Sequence, residues 1–166
     1  MVPVPFVSLA ARATSVGRTQ TLPTPRCTHI RQWAATSLSV NVGRFLSGDH
    51  AFVQKDIEAV VAEAKKRGAL VKVILETCWL SPEEIARACK IAEAAGADFV
   101  KTSTGFGDGP ATPEAVDVMI RTVGKTMGVK ASGGVRTWET AVGYLQQGCK
   151  RLGVASTEAV LDGAPE

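Results

Sequence analysis

The sequence predicts a parallel β/α fold. Three observations point there: short β-branched runs alternate with stretches of helical periodicity from about Ser39 onward, glycines close the helical stretches, and five candidate strands recur at spacings of roughly 22 to 33 residues, the length of a βα unit.

Residues 1–36 stand outside this pattern. They carry Pro3, Pro5, Pro23 and Pro25, many Ser and Thr, and no sustained apolar period, so they read as an irregular or disordered leader ahead of a domain over 37–166. Rich in Arg and Ser and free of acids, the leader superficially resembles an organelle transit peptide, although its prolines break any amphipathic helix. A non-native start to the reading frame is the alternative.

Within the domain, a first strand is expected over Leu38–Val42. Val53, Ile57, Val60, Val61 and Ala64 then share one helical face, and Gly68 follows where a left-handed cap would sit. Leu70 to Leu75 is the second strand, after which Ser81-Pro82-Glu83-Glu84 supplies an N-cap, a first-turn proline and a capping-box glutamate. Ile85, Ala88, Cys89, Ala92 and Ala95 make the buried stripe of that helix, and Gly96 ends it. Ala97 to Ser103 is the third strand. Thr112-Pro113-Glu114 opens a helix with Val116, Met119, Ile120 and Val123 inward, and Gly128 precedes a strand at Val129. Thr137 caps a last helix through Leu145, Gly148 stops it, and Arg151 to Ser156 is the final strand.

Composition excludes several classes of function. The net charge of +3 is uneven: five arginines and no acid in residues 1–48 give +5 and leave −2 for the remainder. Without aromatic and basic residues interleaved in the body, no nucleic-acid partner is expected. No run approaches the ~20 apolar residues that cross a bilayer, and no secretory signal opens the chain, so a cytoplasmic protein without a membrane partner is expected. Cys27, Cys78, Cys89 and Cys149 lack paired spacing, and Cys27-Thr28-His29 offers too few ligands for zinc, so no metal is expected and the cysteines read as free, mostly buried thiols.

In parallel β/α folds the functional residues gather where strands end. Lys101, within Asp98-Phe99-Val100-Lys101-Thr102-Ser103-Thr104-Gly105, and Lys130, within Val129-Lys130-Ala131-Ser132-Gly133-Gly134-Val135-Arg136, hold that position on successive strands. Alternation lets each point inward while its valine neighbours pack against helices. Two interior amines on neighbouring strands, about 5 Å apart, repel each other. Desolvation and a nearby cation both favour the neutral amine, the form that attacks a carbonyl to make a Schiff base. The alternative is that each lysine neutralises a buried acid such as Glu76. Gly133-Gly134 after one strand, and Gly153 with Ser156 in and after the last, leave backbone N–H groups near helix N-termini, where phosphate binds. Turns use glycine equally.

The two lysine motifs closely resemble those of the deoxyribose-phosphate aldolase family. The resemblance extends through Val71-Lys72-Val73-Ile74-Leu75-Glu76-Thr77, through Asn41-Val42-Gly43 with Ser47-Gly48-Asp49, and to Arg151-Leu152-Gly153, covering roughly residues 38 to 162. It implies an incomplete (β/α)8 TIM barrel, about strands 4 to 8 with their helices, since a full barrel takes about 250 residues. It further implies a class I aldolase that needs no cofactor and reversibly cleaves 2-deoxyribose 5-phosphate, a small phosphosugar, to acetaldehyde and glyceraldehyde 3-phosphate. Lys101 would form the Schiff base, and Lys130 would lower its pKa and join the proton relay. Gly105, Gly133, Gly134, Gly153 and Ser156 would help hold the phosphate.

Three positions depart from the family's pattern. Its catalytic aspartate falls at Ser37; Phe106 stands where some members carry lysine; Ala155 replaces a serine frequent in the phosphate loop. An open five-strand sheet exposes two edges and an apolar face, so poor solubility or pairing with another chain, a homo-oligomer included, is expected. A catalytically impaired fragment that only binds a partner, or is simply unstable, is the competing reading.

Overall fold

The computed structural model describes residues 35–165. Cys27, His29 and nearly all of the expected leader lie outside those residues. Strands β1 (Ala35–Ser39), β2 (Leu70–Ile74), β3 (Phe99–Lys101), β4 (Gly128–Ser132) and β5 (Arg151–Gly153) form one parallel sheet in the order β1-β2-β3-β4-β5. Each strand pairs with its neighbour in sequence, and helices α1 (Val42–Leu46), α2 (His50–Lys66), α3 (Pro82–Ala94), α4 (Pro113–Val123), α5 (Trp138–Gln146) and α6 (Thr157–Leu161) alternate with them. This is the expected incomplete β/α barrel.

Period-2 alternation divides the sheet into two unlike faces. Val71, Val73, Val100, Val129, Ala131 and Leu152 are buried on one face. They share a continuous core with Ile57 and Val61 of α2, Cys89 and Ala92 of α3, and Val116 and Met119 of α4. Val60 and Ile120, expected inside, are only partly buried at the margin of that core. The other face carries Ser37, Lys72, Ile74, Phe99, Lys101, Lys130, Ser132, Arg151 and Gly153, as the strand registers dictate.

Most helix starts follow the sequence signals. Ser81 and Glu84 form a reciprocal capping box at α3, and Thr112 and Thr137 accept the Ala115 and Thr140 amides at α4 and α5. Gly68, Gly96 and Gly148 take positive φ just after helices.

The first strand differs from expectation. It is described over 35–39 and stops at Ser39, because the Asn41 side chain accepts the Arg44 amide and starts α1 at Val42, where strand was anticipated. The last strand also stops early, at Gly153, and Ser156 is the N-cap of α6, accepting the Ala159 amide. The third strand is shorter than expected, Phe99–Lys101, and the 102–112 loop follows it.

Candidate active site

Lys101 and Lys130 are direct register partners on β3 and β4, so they lie side by side on the same face of the sheet. Lys130 is only 6% exposed and Lys101 is half-buried. Two further cations complete the group. Lys72 projects from β2 on this face, and Arg151 is the register partner of Lys130 on β5, its guanidinium stacked 4.2 Å from the Phe99 ring centre.

Crowding of like charge in a partly dry face disfavours protonation. Burial, then the charges of Lys72, Lys101 and Arg151, push Lys130 down to about 8. Burial and the Lys72 charge hold Lys101 below the ordinary lysine range, and Glu76 pulls it partly back up. Burial and Arg151 lower Lys72. The sequence argument had Lys130 as the cation acting on Lys101. Burial is the larger cause for both amines; the Lys101 charge is among those that lower Lys130, and Lys72 is the cation that weighs on Lys101.

Strand ends are held in place by side-chain bonds. Thr102, fully buried after β3, donates to the Ser132 carbonyl at 3.1 Å and accepts the Ser132 amide at 3.0 Å, locking the ends of β3 and β4 together. Gly153 has no Cβ because one would overlap the Ser132 hydroxyl and crowd Lys130 Cε at 3.2 Å. Gly128 is bare for the same reason, beneath the Phe99 ring.

Beyond β3 and β4 the glycines shape a cavity of about 430 Å³ lined by Gly105, Gly107, Asp108, Gly109, Pro110, Gly133, Gly134 and Arg136. Gly105, Gly133 and Gly134 have positive φ, and a Cβ on Gly134 would sit 2.8 Å from Pro110 Cβ. Three of the five residues expected to hold phosphate therefore come together. Gly153 and Ser156 are not among the lining residues: the first packs under Lys130 and Ser132, and the second caps α6. Arg136 adds a cation at the rim.

Glu76 does not neutralise the lysines through any ion pair among the described residues. Its carboxylate accepts the Thr104 amide, at 3.3 and 3.1 Å, while Lys101 donates to the Thr104 carbonyl at 3.4 Å. Cys89 and Cys149 are buried, with burial raising their thiols to about 12 and about 11, whereas Cys78 is exposed. Among the described residues no group of three His, Cys, Asp or Glu side chains could hold a metal ion, and no helix is long and apolar enough to cross a membrane.

Lys72, Arg151 and Arg136 were missed as site residues, although all three lie in the quoted motifs. Period-2 counting puts Lys72 on the same face as Ile74, and the β2–β3 register puts that face with Lys101. Arg151 needed the β4–β5 register, which sequence does not supply.

A parallel β/α sheet that gathers Lys72, Lys101, Lys130 and Arg151 on one face, with a glycine-lined cavity in the loops beyond β3 and β4, defines a protein of the TIM-barrel class. The chain belongs to the DeoC/LacD aldolase family, whose model matches residues 18–159 and so reaches into the stretch read as a leader. It is 51% identical over 125 residues to the deoxyribose-phosphate aldolase of Thermococcus gammatolerans, covering 75% of this chain and 56% of that protein. With the enzyme of Clostridium novyi the identity is 55% over 124 residues, covering 75% and 55%. The tetrameric deoxyribose phosphate aldolase of Aeropyrum pernix superposes with a TM-score of 0.70 at 32% identity, over 78% of this chain and 54% of that one. The chain thus spans little more than half the length of the curated relatives it matches.

Proposed function

We propose that this chain carries the Schiff-base half of a class I aldolase acting on 2-deoxyribose 5-phosphate, with Lys101 as the covalent residue and Lys130 as its proton-transfer partner. The adjacency of the two amines on one half-buried face is the observation that carries the reading.

The neutral amine of Lys101 adds to the C1 aldehyde, takes up one proton from solvent and expels water, giving a protonated imine; that proton returns to solvent when the imine is hydrolysed. The C3 hydroxyl gives its proton to the neutral Lys130 amine, directly or through water. The C2–C3 bond then breaks, its electrons passing into the imine as an enamine. C3 leaves as the aldehyde of glyceraldehyde 3-phosphate, C2 takes the proton back, and water releases acetaldehyde and regenerates the amine. A base that is half neutral near pH 8 suits the proton transfer. The cavity formed by Gly105, Gly133, Gly134 and Arg136 would receive the phosphate, with Gly153 and Ser156 shaping the adjoining strand exit. No metal or nucleotide enters these steps.

Borohydride reduction in the presence of acetaldehyde tests this directly. An adduct of mass 28 Da more than the free lysine, on the order expected for an ethyl group on nitrogen, is expected on the peptide containing Lys101 and is abolished by Lys101→Ala. An unlabelled wild-type chain refutes the reading, and a label on Lys130 instead would exchange the two roles.

The presence of Ser37 favours a second reading, an impaired fragment. Ser37 is the register partner of Lys72, so the face has four cations and no carboxylate at that position. A chain that unfolds sharply and traps acetaldehyde at a steady rate would exclude it.

A further inference from the structure

Glu76 occupies two costly states at once. It is the one non-glycine residue of positive φ among the described residues, at φ 55 and ψ 63, in the left-handed region that costs an ordinary side chain about 1 kcal/mol or more. Its carboxylate is also buried, with the residue 5% exposed, and no salt bridge among the described residues offsets the lost hydration. A glycine would relieve the first cost and a glutamine the second. The side chain does not cap the 3-10 turn Thr77–Trp79 that it precedes. It crosses instead to the loop after β3 and accepts the Thr104 amide with both oxygens.

We propose that Glu76 is a positioning residue: by gripping the Thr104 amide it fixes the 104–107 turn, and so sets the Lys101 amine against the glycine-lined cavity. This rests on the reading of Lys101 as the Schiff-base residue.

The contacts form one chain. Thr104 takes the Glu76 carboxylate at its amide, the Lys101 ammonium at its carbonyl and the Phe106 amide at its hydroxyl. Gly105 and Gly107, the next members of the turn, line the cavity. Gly107 lies so close that a Cβ there would meet both the Glu76 Cδ and Oε1 at 3.0 Å. One carboxylate therefore braces the loop at two points, and its position determines where the lysine tip and the cavity wall lie relative to each other. Its charge acts on the same amine. The groups facing Lys101 are Lys72 from β2, Lys130 from β4 with Arg151 beyond it on β5, and Glu76, the one acid in the group.

Glu76→Gln keeps the shape and removes the charge; Glu76→Ala removes both. The measurements are the pH profile of borohydride trapping with acetaldehyde and amide exchange over 104–107. In both variants the trapping midpoint is expected to move to lower pH, because the opposing charge that favours the ammonium is gone. In Glu76→Ala the 104–107 amides are expected to exchange about tenfold faster, the equivalent of one lost charge-assisted hydrogen bond. Gly107→Ala, which presses on the carboxylate from the opposite side, covers the case in which the Glu76 variants fail to fold; it is expected to slow trapping with the fold retained. Unchanged midpoints and unchanged exchange in the Glu76 variants, or normal trapping in Gly107→Ala, overturn the inference. An unlabelled wild type overturns the Schiff-base reading instead, and the exchange measurement then decides whether Glu76 holds the loop.

Discussion

At the residue scale, the site runs against stability. Lys130 is held at about 8, below the ordinary lysine value of 10.5. Between those two values the unfolded chain binds more protons than the folded one, so stability rises with pH across that window; below pH 8 the lysine is charged in both states and the penalty is full. Lys130→Met, close in volume and uncharged, is therefore expected to stabilise the fold at pH 7 by on the order of 2 kcal/mol. The gain should shrink as pH rises from 8 toward 10.5. Urea unfolding at pH 7 and pH 10 measures both values. The same variant should lose turnover.

Ser37 is the reverse case, a position where a charge is missing. An aspartate there would stand opposite Lys72 and give the cationic face an acid. Ser37→Asp is expected to raise turnover by roughly 10- to 100-fold if the carboxylate acts as an ordinary general acid–base group. Steady-state release of acetaldehyde measures this, and a rate no higher than wild type would mean that the position is too exposed to work.

At the element scale, the site depends on how β3 and β4 end. Thr102 satisfies both the amide and the carbonyl of Ser132 across the strand gap. Thr102→Val keeps the shape but leaves that buried pair unsatisfied, at an expected cost of about 1–3 kcal/mol. A fall in the urea midpoint together with slower trapping would show that the clamp positions the lysines as well as stabilising the sheet. Gly128→Ala should cost a similar amount, about 1–3 kcal/mol by overpacking, since its methyl would drive into the Phe99 ring on which Arg151 stacks. The legible elements were those with a local signal, as at Ser81, Thr112 and Thr137, whose hydroxyls cap their own helices. The misread ones, the end of β1 and the end of β5, were decided by side chains that bond forward into short helices, Asn41 into α1 and Ser156 into α6. Such five-residue helices show too little periodicity to be read.

At the scale of the whole molecule, the sheet formed by the described residues has β1 and β5 at its edges. Along β1 only Leu38 is even partly buried, and the edge of β1 that faces away from β2, unpaired among the described residues, is a template for another strand. Large apolar side chains are also bare at Leu46, Trp79 and Phe106, the last 89% exposed. The chain is expected to associate as its concentration rises, and light scattering across a dilution series checks this. Ser39→Lys, which charges the edge, should weaken the association.

The sequence by itself determined the alternation of strand and helix, the family, and the two lysines on successive strands, because period, caps and motifs are local. Which groups meet is a matter of register between strands, and that only the tertiary structure decided. It brought Lys72 and Arg151 to the lysine pair, gathered Gly105, Gly133 and Gly134 around one cavity that Gly153 and Ser156 do not line, and set the Glu76 carboxylate on the Thr104 amide. Side chains far apart along the chain act on one another only through the distances that packing sets.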